Sequence, residues 1–135
     1  MAFIQQRITI IRLRRPETQS LNEELQWFGS SLGLFNLRDK DKSCFRIFIE
    51  LLKASKINRS VTSDELADHL DLSRGTVVHH LNKLMETGLV VYEKRGYMLR
   101  VKNLSALIDE LEDDMKRTCN SLRKIAGDID TRMKR

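Results

Sequence analysis

The spacing of apolar residues changes along this chain, and the changes mark its elements. In residues 61–101, VTSDELADHLDLSRGTVVHHLNKLMETGLVVYEKRGYMLRV, Leu66, Ala67 and Leu70 have helical spacing. Val77, Leu81 and Leu84 follow at i, i+4, i+7, so a second helix also buries one face. Residues 89–92 and 97–101 are then rich in β-branched, aromatic and aliphatic side chains, as strands are. The polar residues punctuate this pattern. Thr62 and Glu65 have the spacing of a capping box, which satisfies two backbone donors at a helix start. Asp71-Leu72-Ser73 is too short for anything but a turn, with Leu72 beneath it. Ser73 suits an N-cap, because its hydroxyl accepts from a first-turn amide. Gly88 sits where a left-handed residue stops a helix. Glu93-Lys94-Arg95-Gly96 predicts a hairpin turn in which Gly96 supplies a positive φ.

The longest periodic pattern follows. Leu104, Ile108, Leu111, Met115, Thr118, Leu122, Ile125 and Ile129 are spaced 4, 3, 4, 3, 4, 3, 4, a heptad seam. At ~1.5 Å per residue a helix over 104–129 is about 38 Å long, more than one small domain needs for its own core. Acids crowd its first half (Asp109, Glu110, Glu112, Asp113, Asp114) and bases its second (Lys116, Arg117, Arg123, Lys124). Antiparallel or crossed pairing of two such helices sets acids against bases, whereas parallel pairing sets like against like. Dimerisation through Leu104, Ile108, Leu111, Met115, Leu122, Ile125 and Ile129 is the expectation. Packing against a helix at 20–30 of the same chain is the alternative.

Before the central segment, residues 44–55 (CFRIFIELLKAS) carry Phe45, Phe48, Ile49 and Leu52 at helical spacing and predict a supporting helix. Ser20 and Glu23 repeat the capping-box spacing, and Leu21, Leu25 and Phe28 continue as a helix face to about residue 30. Gly29, Gly33 and the 32–37 run suggest a break and a packed connector, and residues 38–42 a charged loop. Residues 7–15, RITIIRLRR, alternate in part and predict a strand, paired with a symmetry mate or with the hairpin.

Together these elements give a mainly α fold with a small β-wing: a winged helix-turn-helix with a long C-terminal dimerisation helix and an N-terminal strand and helix extension. The expected divisions are 1–42 (extension), 43–102 (winged helix-turn-helix, DNA-binding) and 103–135 (dimerisation helix).

Charge adds a direction. The net charge of +5 is concentrated: residues 1–15 carry +4 and residues 89–102 carry +3, and the remaining segments are neutral or slightly acidic. Basic patches beside a helix-turn-helix form an electrostatic footprint for phosphate. The arginines of 7–15 either touch DNA or guard a basic strand edge against aggregation. With 135 residues, 41% of them hydrophobic, and one proline, the chain is long enough for one core plus extensions and too apolar for a disordered one. Two separated cysteines and no secretory leader are the pattern of a cytoplasmic protein. No apolar run approaches the ~18 residues that a membrane span needs.

SRGTVVHHLNKLMETGLVVYEKRGYMLRV resembles the recognition helix and wing of the ArsR-type winged-helix regulators, and more loosely the MarR type. The shared features are the frame of Ser73, Thr76, Val77, His80, Leu81 and Leu84, the Gly88-Leu89-Val90 that follows, and the wing. The resemblance covers about residues 43–101 and leaves out the first forty. It implies a homodimeric transcriptional regulator, usually a repressor released by an effector. It also implies that His80 packs partly inward. The cysteine box of metal-sensing members is missing from 61–70, and their Asp/His site has no histidine in 104–135.

On this reading the outward side chains of the 73–87 helix read DNA. Arg74 suits guanine O6 and N7, and Ser73 or Thr76 a phosphate. Val78 suits a thymine methyl, and His79 a base or phosphate. Gly75 allows close backbone approach, and Asn82 and Lys83 complete the face. Lys94 and Arg95 suit the minor groove or flanking phosphates. Adjacent His79 and His80 point about 100° apart and do not share a metal, and His69 stands alone. Cys44 and Cys119 lack ligand spacing and fall in apolar helix patterns, where thiols are inert. Neither a metal site, a cofactor nor catalysis is expected, and no effector is indicated. The competing readings are a protein- or RNA-interaction module, or a nonspecific architectural DNA-binding protein.

Overall fold

The computed structural model describes residues 5–17, 20–35 and 42–134. Their elements run α1 (Leu21–Ser31), α2 (Ser43–Ser55), α3 (Ser63–Leu70), α4 (Arg74–Thr87), β1 (Val90–Glu93), β2 (Gly96–Leu99) and α5 (Leu104–Met133). The chain is mainly helical, with a two-stranded antiparallel wing after the helix pair α3–α4 and a long helix at its end.

The core is built around α2. Ile47, Phe48 and Leu51 are fully buried, and Leu66 of α3, Val77, Leu81 and Leu84 of α4, Leu89, Val90 and Leu99 of the wing, and Leu107 and Leu111 of α5 pack with them. The expected face of α2 is rotated: Ile47 and Leu51 fill the core, whereas Phe45, Ile49 and Leu52 are half-buried. The reason is that α2 is covered on more than one side. Phe45 stacks on Phe35 of the connector at 4.7 Å between ring centroids and lies under Gly29 of α1, while the opposite side faces α4 and β2. A helix wrapped this way is apolar nearly all round, and no single stripe in its sequence identifies the inner face. Leu32 and Leu34 of the connector are buried as expected. Residues 38–41 of the expected charged loop lie outside the described residues.

α1 is capped by Ser20, whose Oγ accepts from the Glu23 amide. Gly29, an expected break, lies inside this helix. Leu21, an expected member of its face, is 72% exposed: the helix packs through Phe28, which stacks on Phe48. In α3 the capping box forms in full, with Thr62 and Glu65 each accepting from the other's backbone amide. The Thr62 amide and the guanidinium of Arg59 hold the Glu65 carboxyl below its ordinary pKa. Asp71 takes a left-handed φ of 55° in the turn. Arg46 of α2 donates to the Leu70 carbonyl at 2.7 Å, which ties the end of α3 to the core helix.

The wing corrects one expectation. Glu93 pairs with Gly96, which leaves Lys94 and Arg95 as a two-residue turn, and both have positive φ (55° and 61°). This is the type I′ geometry that matches strand twist, and Gly96 does not supply it. Gly96 is needed for closeness instead. A Cβ there would lie 2.9 Å from Ser60 Oγ and 3.1 Å from the Val61 carbonyl carbon, where Val61 and Tyr97 exchange two backbone hydrogen bonds (2.9 and 2.7 Å). The segment before α3 is thus locked to the wing.

The strand expected at 7–15 does not form. Residues 5–17 are an arm without secondary structure. The Arg7 amide donates to the Glu86 carbonyl (2.9 Å) and the Ile11 amide to the Ser31 carbonyl (2.7 Å). Both acceptors belong to helices, so the arm meets no strand edge on which to build a ladder.

The arm is instead anchored at a buried charge. Asp114 of α5 is 5% exposed. Arg100, just beyond β2, donates to both its oxygens (2.5 and 3.1 Å), Arg117 also pairs with it, and Gln6 Nε2 donates to it at 2.9 Å. The same Gln6 nitrogen donates to the Thr87 carbonyl at the end of α4 (3.3 Å). Gly88, with φ 87°, both ends α4 and clears this contact, since a Cβ would come within 2.2 Å of that nitrogen. Arg100 and Gln6 hold the Asp114 carboxyl down to about 2, against burial that opposes ionisation. The Arg100 guanidinium is correspondingly raised.

Beyond this point α5 leaves the domain. Leu107 and Leu111 are buried and Leu104 is half-buried, whereas residues 115–134 are all exposed. Ile108, Met115, Leu122, Ile125, Ile129 and Met133 expose apolar side chains. Cys119, expected in an apolar pattern, is exposed, and Cys44 is buried. The apolar anchors of the helix, Leu104, Leu107 and Leu111, all lie near its start. Leu111, expected on the dimerisation seam, thus belongs instead to its own core, and among the described residues the 4-3 spacing that follows meets no cover. No helix among the described residues is long and apolar enough to cross a membrane.

Two outcomes are expected. Gly96→Ala should lower stability by about 1–3 kcal/mol, read by denaturant unfolding. Asp114, whose folded pKa lies below its unfolded value of 3.8, stabilises the fold fully above about pH 4. That contribution, roughly 2 kcal/mol, should be lost as pH falls towards 2, and Asp114→Asn should flatten this limb of a stability–pH profile.

Candidate nucleic-acid interface

The inward stripe of α4 determines what the helix shows to solvent. With Val77, Leu81 and Leu84 fixed against α2 and α3, Arg74, Gly75, His79 and Asn82 are exposed, and Thr76, Val78 and Lys83 are half-buried at the margins of that face. The surface is polar: none of the exposed large hydrophobic side chains belongs to α4.

The first turn is well defined. Ser73 Oγ accepts from the Thr76 amide (3.1 Å) and donates to Thr76 Oγ1 (2.8 Å), so two hydroxyls sit together at the positive end of the helix, where backbone amides and dipole favour an anion. Arg74 pairs with Asp64 of α3 at 3.6 Å, with both side chains about three-quarters exposed. An exposed pair of this kind contributes ~0–1 kcal/mol, so Arg74 is positioned without being committed. A Cβ on Gly75 would meet nothing within 4 Å. The protein itself makes no demand for glycine there, and the small residue leaves the helix surface open to an outside partner.

The wing tip carries Lys94 and Arg95 exposed on the tight turn. The strands behind it are braced by Tyr92 and Tyr97, a facing pair with ring centroids 5.0 Å apart.

One participant was not expected beside the helix. Arg7 and Thr9 of the arm line a groove of about 290 Å³ with His79, Asn82 and Lys83 of α4, and Arg7 pairs with Glu86 at 3.5 Å. The basic composition of 7–15 indicated that the arm had an electrostatic role. Nothing in its pattern indicated that it would lie along α4, because the contact is made through single backbone and side-chain bonds.

The remaining chemistry-bearing residues are dispersed. His80 is half-buried, with its ring 5.3 Å from that of His79. His69 lies 3.5 Å from Glu50, away from the outward face of α4. Among the described residues no group of three or more His, Cys, Asp or Glu side chains could hold a metal ion.

No curated protein matches the chain closely enough to serve as a relative. Residues 50–92 match the family model described as bacterial regulatory protein, arsR family. The match runs from Glu50 in α2 to Tyr92 in β1 and so takes in both helices of the motif and the first wing strand. Within the winged helix-turn-helix built on α2, α3, α4 and the wing, residues 50–92 are thus similar to the regulator domain of the arsR family.

Proposed function

We propose that the chain is a sequence-specific transcriptional regulator that binds double-stranded DNA in the cytoplasm as a homodimer and represses by occupying its site. The observation that carries this reading is the exposed polar face of α4, whose first turn joins an anion-favouring helix start to Arg74 and the open surface at Gly75. In this reading α4 enters the major groove. Ser73 and Thr76 meet a phosphate, and Arg74 reads guanine. Val78, His79, Asn82 and Lys83 contact neighbouring bases or backbone, and Lys94 and Arg95 hold flanking DNA.

The homodimer follows from two features. Among the described residues nothing covers the apolar edge of the outer part of α5, and its acids and bases complement each other only in antiparallel or crossed pairing. A symmetric pair of recognition helices would then meet successive major grooves about 34 Å apart. The absence of any large exposed apolar side chain on α4 weighs against a protein-docking role for that helix. Binding, without a chemical step, is the action proposed.

Fluorescence anisotropy tests this. The protein should bind a duplex from its own upstream region more tightly than a scrambled duplex, with affinity falling as salt rises. Equal binding to both duplexes would overturn sequence specificity, and no binding at low salt would overturn the DNA reading. Arg74→Ala should cost about 1–3 kcal/mol and relax preference at one base pair. Lys94→Gln with Arg95→Gln should weaken binding to all duplexes alike and reduce the salt slope by about 2.

A further inference from the structure

The arm is fastened on both sides of Arg7 and Thr9. Gln6 is held by Asp114 and by the Thr87 carbonyl. The Arg7 amide bonds the Glu86 carbonyl, and the Ile11 amide bonds the Ser31 carbonyl. Between these points Thr9 packs on Gly33. The missing side chain of Gly33 makes the contact possible, since a Cβ there would lie 2.8 Å from Thr9 Cγ2, and its φ of 73° suits glycine. Arg7 and Thr9 are therefore in place before any partner arrives, and a partner need not order them.

The groove of about 290 Å³ beside them has α4 as its other wall. His79, Asn82, Lys83 and Glu86 line that wall, and their spacing of i, i+3, i+4 and i+7 puts them along one edge of the helix. Two cations, Arg7 and Lys83, are set against one acid, Glu86. The Thr9 hydroxyl and the Asn82 amide add hydrogen-bond donors. A phosphodiester matches this lining, with one negative charge and oxygens that only accept.

The groove also borders the surface proposed to read DNA. His79 and Asn82 are exposed members of the outward face of α4. When the first turn of α4 enters the major groove, residues 79–86 lie further back along the helix, beside the phosphates of the groove's rim. The contact between Arg7 Nε and Glu86, 3.5 Å long, does not stand in the way. The Arg7 side chain is 71% exposed, and an exposed ion pair is weak, so a phosphate can draw the guanidinium from Glu86 at little cost.

We propose that the groove between the arm and α4 holds a backbone phosphate of bound DNA. Arg7 and Lys83 supply the charge, and Thr9 and Asn82 donate hydrogen bonds. The proposal rests on the DNA-binding reading. It adds a contact outside the helix-turn-helix and the wing, made by a segment that lies before the residues matched to the family. Glu86 is the counter-charge: it occupies Arg7 in the free protein and opposes the phosphate.

Anisotropy tests the seat in the full-length chain, with the duplex from its own upstream region and the scrambled duplex over a series of salt concentrations. Arg7→Gln keeps the backbone bond to Glu86 and alters a mostly exposed side chain, so the fold should survive. It should weaken binding to both duplexes alike and reduce the salt slope by about 1 for each arm engaged. Arg7→Lys keeps the charge and should keep the slope. Glu86→Gln removes the acid from the groove and should tighten binding. Arg14→Gln removes the same charge where the arm follows α1, next to the Leu13 carbonyl that accepts from Trp27 Nε1, and should leave the slope as it is. An unchanged slope in Arg7→Gln, or an equal fall in Arg14→Gln, overturns the seat and leaves the role of α4 standing. A parent protein that binds neither duplex at low salt overturns both.

Discussion

The paired carboxylate of Asp114 is the interaction on which the arrangement of the parts depends. A buried charge is tolerated only when it is paired and hydrogen-bonded, and here the partners come from different places. Arg100 leads out of the wing, Gln6 belongs to the arm, and Arg117 lies one turn further along α5. Gln6 then passes the connection to the Thr87 carbonyl at the end of α4. The hydrophobic core alone would hold α4 and α5 in one domain, because apolar packing is non-directional. The ionic knot adds direction: it fixes the end of α4 relative to the helix that leaves the domain. Whatever pairs with the outer part of α5 is therefore coupled rigidly to the pose of α4.

The outward surface of α4 is a by-product of the inner one. Three buried residues set the rotation of the helix about its axis, and the polar residues between them are presented by subtraction. This explains why the face tolerates Gly75, a poor helix former, in its first turn. The Ser73 cap and the hydroxyl pair with Thr76 secure the helix start. The wing is held in a similar manner, with its tip free and its base clamped by the Val61–Tyr97 bonds and the close passage of Gly96 under Ser60. Both elements end in exposed cations on rigid supports, a state in which little ordering entropy remains to be lost on binding.

How much of this was legible in the sequence varied with the kind of signal. Local backbone rules were readable, so the Thr62–Glu65 box, the Ser73 cap and the Gly88 stop lie where spacing and residue type put them. Periodicity located α4, which uses one stripe, and the span of α5, but on α5 it missed Leu107 and put Leu111, a core residue, on the dimerisation seam. It misplaced the inner face of α2, which is covered on several sides, and it counted Leu21 on a face that the fold leaves open. The β-rich composition of 7–15 suggested a ladder, but a ladder needs a free strand edge and the arm meets only helix carbonyls. At the wing, Gly96 was assigned to conformation when its role is proximity. Such proximity belongs to tertiary structure, and neither it nor the Asp114 knot leaves a local trace. For the candidate DNA surface, residue types and helical phase sufficed to name the outward positions. They did not place Arg7 and Thr9 beside them.

The long reach of Gln6 also bears on how the molecule is made. Its two acceptors lie 81 and 108 residues further along the chain. At about 5–20 residues per second of synthesis, the arm precedes its anchor by roughly 5–20 s. During that interval the Gln6 amide does not have both of its acceptors, although Ser31, which accepts from the Ile11 amide, follows much sooner in the chain. The core of α2, α3 and α4 can close first, since its contacts are more local, and the Gln6 end of the arm can lock only after α5 has been added. Docking of the Gln6 end of the arm thus waits for α5. The carboxylate that locks it serves as a completion check, one that a chain stopped short of α5 could not pass.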